Sequence, residues 1–566
     1  MQSLLSVENL QVHFGNHAVV KGVNFSVAQG EMLALVGESG SGKSVTALSI
    51  MGLLAKQAAI SGRVMFEGRD LLNLPKPAFR ALRGDHLSMI FQEPMTSLNP
   101  VYSIGAQIAE TLRVHQRLSR QQARNRAIEL LALVEIPDPA RRVDDFPHQL
   151  SGGQRQRVMI AMAVACEPKL LIADEPTTAL DVTVQANIMA LLDRLRRELS
   201  LSVLMITHDL GLVSQWADKV AVMHSGKIVE QGDTEVIFSH ARHDYTRGLM
   251  AASLMGEQNL HYRQRLLTEI RHNGEAEFRL HQPEMLTFPP VQSLADRRPL
   301  LSVRNLDVSY AQGRKRVPAL KEVSFDLHAG ETLGLVGESG CGKSTLSRTL
   351  LRLIRPDDGQ IQLDGADIAQ QPEAALKNLR KSVQMIFQDP YASLNPRHTI
   401  FTILDSVLRL HDAAPAAQRL QRILTMLDRV GLPRQSLDRY AHEFSGGQRQ
   451  RIGIARALIV KPRLVICDEA VSALDVSVQA QILNLLLEMK QELGLSYLFI
   501  SHNLAVVRYM SDRVLVMNQG EIVESGDVEQ VWHNPQHFYT QQLLSAVNKS
   551  HAQPNHHFIT SDPVSA

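Results

Sequence analysis

The sequence has little cysteine, no long apolar run and almost no excess of either charge. Three cysteines (Cys166, Cys341 and Cys467) stand far apart in 566 residues and form neither a CxxC nor a Cys/His cluster. That argues against a disulfide framework and a structural zinc, and it fits a reducing compartment. No apolar stretch approaches the ~20 residues needed to cross a bilayer; VMIAMAVA, for instance, is soon interrupted by charge. Any work at a membrane therefore falls to partners. The opening MQSLLSVENL lacks the basic start and apolar core of a signal peptide, so no leader is expected. With 59 basic against 58 acidic residues the formal charge is +1, which leaves no broad electrostatic footprint for nucleic acid.

What the sequence does have is itself, twice. FQEPMTSLNP at 91–100 returns as FQDPYASLNP at 387–396, and GESGSGKS at 37–44 as GESGCGKS at 337–344. LSGGQRQR at 150–157 pairs with FSGGQRQR at 444–451, and DEPTTALD at 174–181 with DEAVSALD at 468–475. ITHDL at 206–210 pairs with ISHNL at 500–504, and HDYTRGLM at 243–250 with HFYTQQLL at 537–544. A duplicated unit of about 250 residues is the size of one large domain. The expected division is 1–255, a linker over 256–298, a second domain over 299–548 and a frayed tail over 549–566. The linker contains HNGEAEFRLHQPEMLTFPP, with mixed charge and a Pro pair. If flexible, it would have a root-mean-square span of roughly 35 Å.

Each copy carries GxxxxGKS between an apolar strand and a helix. Glycines let several backbone N–H groups converge on one anion, and the helix N-terminus adds a favourable dipole. The loop residues Gly37, Glu38, Ser39, Gly40, Ser41 and Gly42 are expected to cradle phosphates, with Lys43 on the β- and γ-phosphates and Ser44 on Mg²⁺. Gly337, Glu338, Ser339, Gly340, Cys341, Gly342, Lys343 and Ser344 repeat those roles. LLIADE and LVICDE read as buried strands delivering two acids to one sheet edge. Asp174 and Asp468 would hold Mg²⁺, and Glu175 and Glu469 would polarise the attacking water. A lone strand-end histidine is structural more often than catalytic. His208 and His502 both lie on the next expected strand after the acids, which favours a γ-phosphate contact. Phe14 and Tyr310 precede the loops and could stack on adenine or serve as core aromatics.

SGGQ before a helical stretch is a second anion-binding helix start, superfluous in a domain that already holds its phosphates. The puzzle resolves if Ser151, Gly152, Gly153 and Gln154 cover nucleotide bound by the second copy, and Ser445, Gly446, Gly447 and Gln448 cover that of the first.

In this order the motifs resemble those of ATP-binding cassette (ABC) proteins, over nearly the whole chain and twice. QEPMTSLNP, HQLSGGQRQRVMIAMA, ALDVSVQAQI and the HxYTxxLL elements are similar to the oligopeptide/dipeptide/nickel importer family. Its single-chain fusions include Yej-type microcin C/peptide and glutathione importer ATPases. The resemblance implies an α/β fold: two P-loop nucleotide-binding domains in tandem, each with a RecA-like core, an antiparallel β subdomain and a helical subdomain over roughly 95–165 and 391–458. It implies ATP and Mg²⁺ as ligands, with Gln92 and Gln388 contacting the metal and the attacking water. It further implies an ATPase on the cytoplasmic face of the inner membrane, with two permease subunits and a periplasmic substrate-binding protein as partners and no nucleic acid. The cysteine cluster that carries an iron–sulfur centre in some relatives is absent, so none is expected.

Asn503 stands where the first copy has Asp209, and Ala470 where it has Pro176, so the two sites could differ in rate. Cys341 lies near a helix N-terminus, which should favour its thiolate and make turnover sensitive to thiol reagents; equally, it could be a small substitute for the Ser41 of the first copy. The rival reading is a soluble tandem ABC ATPase acting on ribosomes or nucleic acid. A stand-alone P-loop kinase leaves SGGQ unexplained.

Overall fold

Alternating apolar residues make the first strands, and continuous apolar runs make the inner ones. The computed structural model describes residues 3–92, 97–177, 180–254, 260–272, 277–288, 298–313, 315–372, 375–412, 414–472 and 474–549. The chain divides into two compact units, the first chiefly Met1–Thr178 and Ala186–His243, the second chiefly Asp244–Leu544.

The first unit contains strands β1 (Ser3–Phe14), β2 (His17–Ala28), β3 (Met32–Val36), β4 (Ala58–Phe66), β5 (Arg69–Asp70), β6 (Leu87–Ile90), β7 (Leu170–Asp174), β8 (Ser202–Thr207), β9 (Lys219–His224) and β10 (Lys227–Asp233). Along β1 the residues Leu5, Val7, Leu10 and Val12 are buried, so one face of the antiparallel sheet β2-β1-β4-β5 is apolar. β3 reads MLALV with all five residues buried, the pattern of a strand covered on both faces. It lies inside the second sheet, β10-β9-β3-β8-β7-β6. There β3 pairs parallel with β8 and β9, and β7 pairs parallel with β8 and β6. Parallel pairing puts the C-terminal ends of β3, β8, β7 and β6 on one edge, where the phosphate loop, His208, the acid pair and Gln92 follow. Helices Ile104–His115, Arg120–Leu133 and α1 (Gly152–Val164) fill the stretch between β6 and β7. Serine caps start them, and Ser119 and Ser151 each form a reciprocal box with a glutamine three residues on.

The second unit repeats this plan. The strands are β13 (Pro299–Gln312), β14 (Lys315–His328), β15 (Thr332–Val336), β16 (Asp358–Leu363), β17 (Ala366–Asp367), β18 (Val383–Ile386), β19 (Leu464–Asp468), β20 (Ser496–Ile500), β21 (Arg513–Asn518) and β22 (Glu521–Asp527). The antiparallel sheet is β14-β13-β16-β17, and the main sheet is β18-β19-β20-β15-β21-β22. This unit's helices include α2 (Gly446–Leu458), α3 (Val476–Leu493) and α4 (Phe538–Lys549).

Residues 260–272 and 277–288 lie inside the stretch expected as a linker over 256–298, after the expected boundary at 255. The chain's compact units part at 243/244, and both segments are built onto the second unit. Glu269–His272 and Phe278–His281 form an antiparallel hairpin, β11 and β12, and Tyr262, Leu266, Leu267 and Ile270 are buried. The reason is pairing as well as apolar burial. Asn484 on α3 accepts from Leu267 N at 3.2 Å and donates to Leu267 O at 2.8 Å, and Gln481 donates to Ile270 O at 2.7 Å. Tyr509 Oη donates to Arg265 O at 3.1 Å. Beneath them Tyr262 Oη donates to Asp512 Oδ1 at 2.8 Å and accepts from Lys490 Nζ at 3.0 Å. The expected tail lies outside the described residues from 550 onward.

Candidate active site

Glycine is required where each phosphate loop begins. Gly37 has φ +151°, and a Cβ there would sit 2.1 Å from Met223 O; at Gly337, φ is +152° and Met517 O would be 2.2 Å away. In the first unit Lys43 Nζ donates to Gly37 O at 2.7 Å and Glu38 O at 2.9 Å. Lys343 repeats both bonds at 2.7 and 2.8 Å. A buried ammonium thus folds its own loop closed, holding a cation where a phosphate could replace the two carbonyls. Ser41 Oγ is buried with no hydrogen-bond partner among the described residues.

Two carboxylates follow the loop in space. Asp174 ends β7, is buried, and accepts from Ser44 Oγ at 3.2 Å. Burial, reinforced by the neighbouring Glu175, pushes its carboxyl above the usual range against the pull of Ser44 and Lys43. Asp468 is raised in the same way, by burial and then Glu469. Its bond comes from Ser347 Oγ at 3.3 Å, one helical turn beyond Ser344, where the first copy has Ala47. A buried carboxylate beside hydroxyls is a set of hard oxygen donors, and such sets suit Mg²⁺.

Glu175 and Glu469 are held more elaborately than the sequence suggested. Gln92 Nε2 donates to Glu175 Oε2 at 2.7 Å, and His208 Nδ1 lies 3.2 Å from Glu175 Oε1. In the second unit Gln388 Nε2 donates to Glu469 Oε2 at 2.6 Å, with His502 Nδ1 at 3.3 Å from the same oxygen. Burial would raise Glu469, but the His502 hydrogen bond and charge together with Lys343 leave it below the ordinary glutamate value. Both glutamates adopt left-handed backbone, φ +49° and +50°, unusual for a side-chain-bearing residue. Their amides are fixed to the next strand, Glu175 N to Ile206 O and Glu469 N to Ile500 O, at 2.8 and 2.9 Å. A carboxylate aimed by an amide and an imidazole can accept a proton from water. The expectation placed the glutamines on metal and the histidines on phosphate; here all four meet the glutamates.

The other expected residues divide. Tyr310 Oη is 3.2 Å from Thr345 Oγ1, next to Ser344, and the residue is 44% exposed. Phe14 is half-buried and packs against the core. Ser151 Oγ accepts from Gln154 N while Gln154 Oε1 accepts from Ser151 N; Ser445 and Gln448 do the same. Among the described residues no acceptor lies on the amides of Gly152 and Gly153, or of Gly446 and Gly447. Asn503 keeps the job of Asp209, its Oδ1 accepting from Ala505 N and Val506 N as Asp209 Oδ1 accepts from Gly211 N and Leu212 N. The reactive thiolate expected at Cys341 is overturned. The thiol is buried, and burial raises it despite Lys343, so desolvation outweighs the helix end. Two arginines with no expected role stack on the aromatic residues around Gln388. Arg449 lies 3.5 Å from the Tyr391 ring centroid and Arg456 5.5 Å from that of Phe387.

The ABC transporter family pattern matches residues 20–178 and 320–472, spanning both phosphate loops and both acid pairs. The chain belongs to the ABC transporter family. The pattern for the oligopeptide/dipeptide transporter C-terminal region matches 229–277 and 523–561 of this ABC ATPase. Among its curated relatives, the glutathione import ATP-binding protein GsiA of Pectobacterium atrosepticum is 48% identical over 96% of this chain and 89% of its own. GsiA of Escherichia coli K12 is 47% identical with the same coverage. A solved dimeric cassette, MJ0796 in a post-hydrolysis state bound to ADP and Pi, aligns at TM-score 0.38 and 26% identity, covering 40% of this chain and 98% of that one. No helix among the described residues is long and apolar enough to cross a membrane.

Proposed function

We propose that this ABC ATPase powers import of peptides or peptide-like small solutes, glutathione among them, across a bacterial inner membrane. It would work at the cytoplasmic face with two permease subunits and a periplasmic substrate-binding protein. The observation that carries the chemistry is the twice-built glutamine–glutamate–histidine arrangement beside a lysine-closed phosphate loop. The relatives support the solute class, and they do not favour a ribosome- or nucleic-acid-bound role.

In this reading ATP enters the loop, and Lys43 or Lys343 exchanges its two carbonyls for phosphate oxygens. Ser44 with Asp174, and Ser344 with Asp468, would hold Mg²⁺, with Gln92 and Gln388 in reach. When bound there, the ion neutralises phosphate charge and orients the terminal group. Glu175 or Glu469 takes the proton of the attacking water, while Gln92 and His208, or Gln388 and His502, fix the carboxylate's direction. Geometry divides the labour: each aspartate accepts from a hydroxyl of the helix that follows the phosphate loop, while each glutamate lies between a glutamine and a histidine. Tyr310 and Phe14 would flank adenine. The vacant glycine amides of Ser445–Gln448 would close over nucleotide in loop 37–44, and those of Ser151–Gln154 over nucleotide in loop 337–344. Closure of the cassettes on ATP and reopening after hydrolysis would drive the permeases.

The test is Glu175→Gln with Glu469→Gln in the full chain. Turnover should fall about 10²–10⁴-fold with ATP binding retained. Near-normal hydrolysis in the double variant would sink the catalytic assignment. Purification should bring two integral membrane proteins along; ribosome or nucleic-acid association instead would defeat the importer reading.

A further inference from the structure

The HxYT element recurs in both copies, yet nothing in the chemistry above uses it. Its start is gripped the same way each time. In the first unit Glu230 on β10 accepts Arg242 N and His243 N at 2.7 and 3.1 Å. In the second, Glu524 on β22 accepts Gln536 N and His537 N at 2.8 and 3.0 Å. A carboxylate taking two consecutive backbone amides fixes both the position and the direction of the segment that follows. In the second unit that segment is α4, and its second residue is Tyr539.

Tyr539 is buried, and its hydroxyl accepts from the backbone N–H of Glu338, the second residue of the phosphate loop, at 2.9 Å. The far side of the same residue is occupied too. Glu338 O accepts Lys343 Nζ at 2.8 Å and Cys341 N at 3.3 Å. One loop residue is therefore held by both backbone groups, its N–H by the C-terminal helix and its C=O by the loop's own lysine and turn. The tyrosine also removes the Glu338 amide from the set free to meet phosphate, leaving that task to later amides of the loop. When Lys343 leaves the two carbonyls for phosphate, the tyrosine bond is the one that need not break.

We propose that Tyr539 is a positioning residue for the second nucleotide site, setting the loop through Glu338 so that its remaining amides and Lys343 meet phosphate. This rests on loop 337–344 holding ATP. It gives the oligopeptide-type C-terminal region a direct hand on nucleotide affinity, where it would otherwise be a covering helix.

The experiment is calorimetric binding of a non-hydrolysable ATP analogue to the full chain, wild type against Tyr539→Phe, with Lys343→Ala as control and the melting temperature read alongside. Losing one neutral hydrogen bond should weaken the second site about three- to tenfold. The first site and the melting temperature should stay near wild type, since the ring remains. Tyr539→Phe with unchanged affinity overturns the proposal, whether or not the melting temperature falls. If Lys343→Ala also leaves affinity untouched, the site reading itself has failed; if only the tyrosine variant is silent, the site stands and the positioning role does not. Glu524→Gln, which weakens the grip on α4 without touching the loop, should shift affinity in the same direction by a smaller factor. No change in that variant's affinity would break the link from β22 to the loop.

Discussion

Replacing Asp512 by asparagine should loosen the segment built onto the second unit, by an amount its surroundings allow us to bound. The Asp512 carboxylate accepts Thr332 N at 2.8 Å, Arg263 Nε at 3.0 Å, Tyr262 Oη at 2.8 Å and Lys490 Nζ at 3.3 Å. Both Lys490 and Asp512 are buried, their side chains 3% and 6% exposed. Asparagine keeps the volume, removes the charge and leaves Lys490 with Thr332 Oγ1 at 2.7 Å and Tyr262 Oη as neutral partners. Stripping one member from a buried ion pair costs about 3–5 kcal/mol, mostly for the charge left behind. At ~2–4 °C per kcal/mol for a unit of this size, the second unit's transition should drop roughly 6–20 °C. Adding Lys490→Met should restore part of that loss, because removing both charges of such a pair is far cheaper than removing one. Hydrogen exchange adds a local readout: the Tyr262 amide, bonded to Tyr509 O at 3.1 Å, should lose protection in the single variant first. The pH dependence has a defined sign. Burial alone would raise Asp512, but Lys490, the Thr332 amide, Arg263 and Tyr262 together hold it below the ordinary carboxylate value. Its contribution is therefore fully present above the unfolded aspartate pKa of about 4 and is lost as pH falls through the depressed folded value. A melting shift below ~2 °C for Asp512→Asn, or a double variant worse than the two singles combined, would refute the buried-charge account.

Two further predictions concern the phosphate loops. Gly37→Ala should abolish nucleotide binding to the first loop, since the added methyl would press on Met223 O at 2.1 Å; titration with ATP checks it, and wild-type affinity would show the loop can move aside. Alkylation of Cys341 at pH 8 should be slower than that of a small free thiol, because burial both shields the sulfur and suppresses its thiolate; mass spectrometry of the labelled peptide against time decides.

The phosphate loops, the acid-bearing strands and the signature helices were legible because each is a local pattern: a glycine spacing, a continuous apolar run, a serine cap. The acid-bearing strands end one residue inside the expected limits, at Asp174 and Asp468, with Glu175 and Glu469 just past them. What local pattern could not carry was direction. Nothing in LLIADE says that its last residue turns left-handed, and nothing in FQEP says that its glutamine will reach 83 residues ahead to that glutamate. The packing of the segment after the first unit is hidden from local pattern for a related reason. HYRQRLLTEI has neither strand alternation nor a helical stripe, yet its tyrosine and leucines are buried by partners more than 200 residues away. Lys490, in a helix interior, reads as a solvated charge until Asp512 is brought beside it. For Cys341 two physical effects competed, and only the extent of burial could decide between them.

The left-handed backbone at Glu175 and Glu469 has an awkward corollary for variant libraries. A glycine there would relax a conformation costing on the order of 1–3 kcal/mol while deleting the carboxylate. Such dead variants should be at least as robust and as abundant as their parent, so selection on soluble yield would enrich them, and the working sequence persists only where turnover itself is under selection.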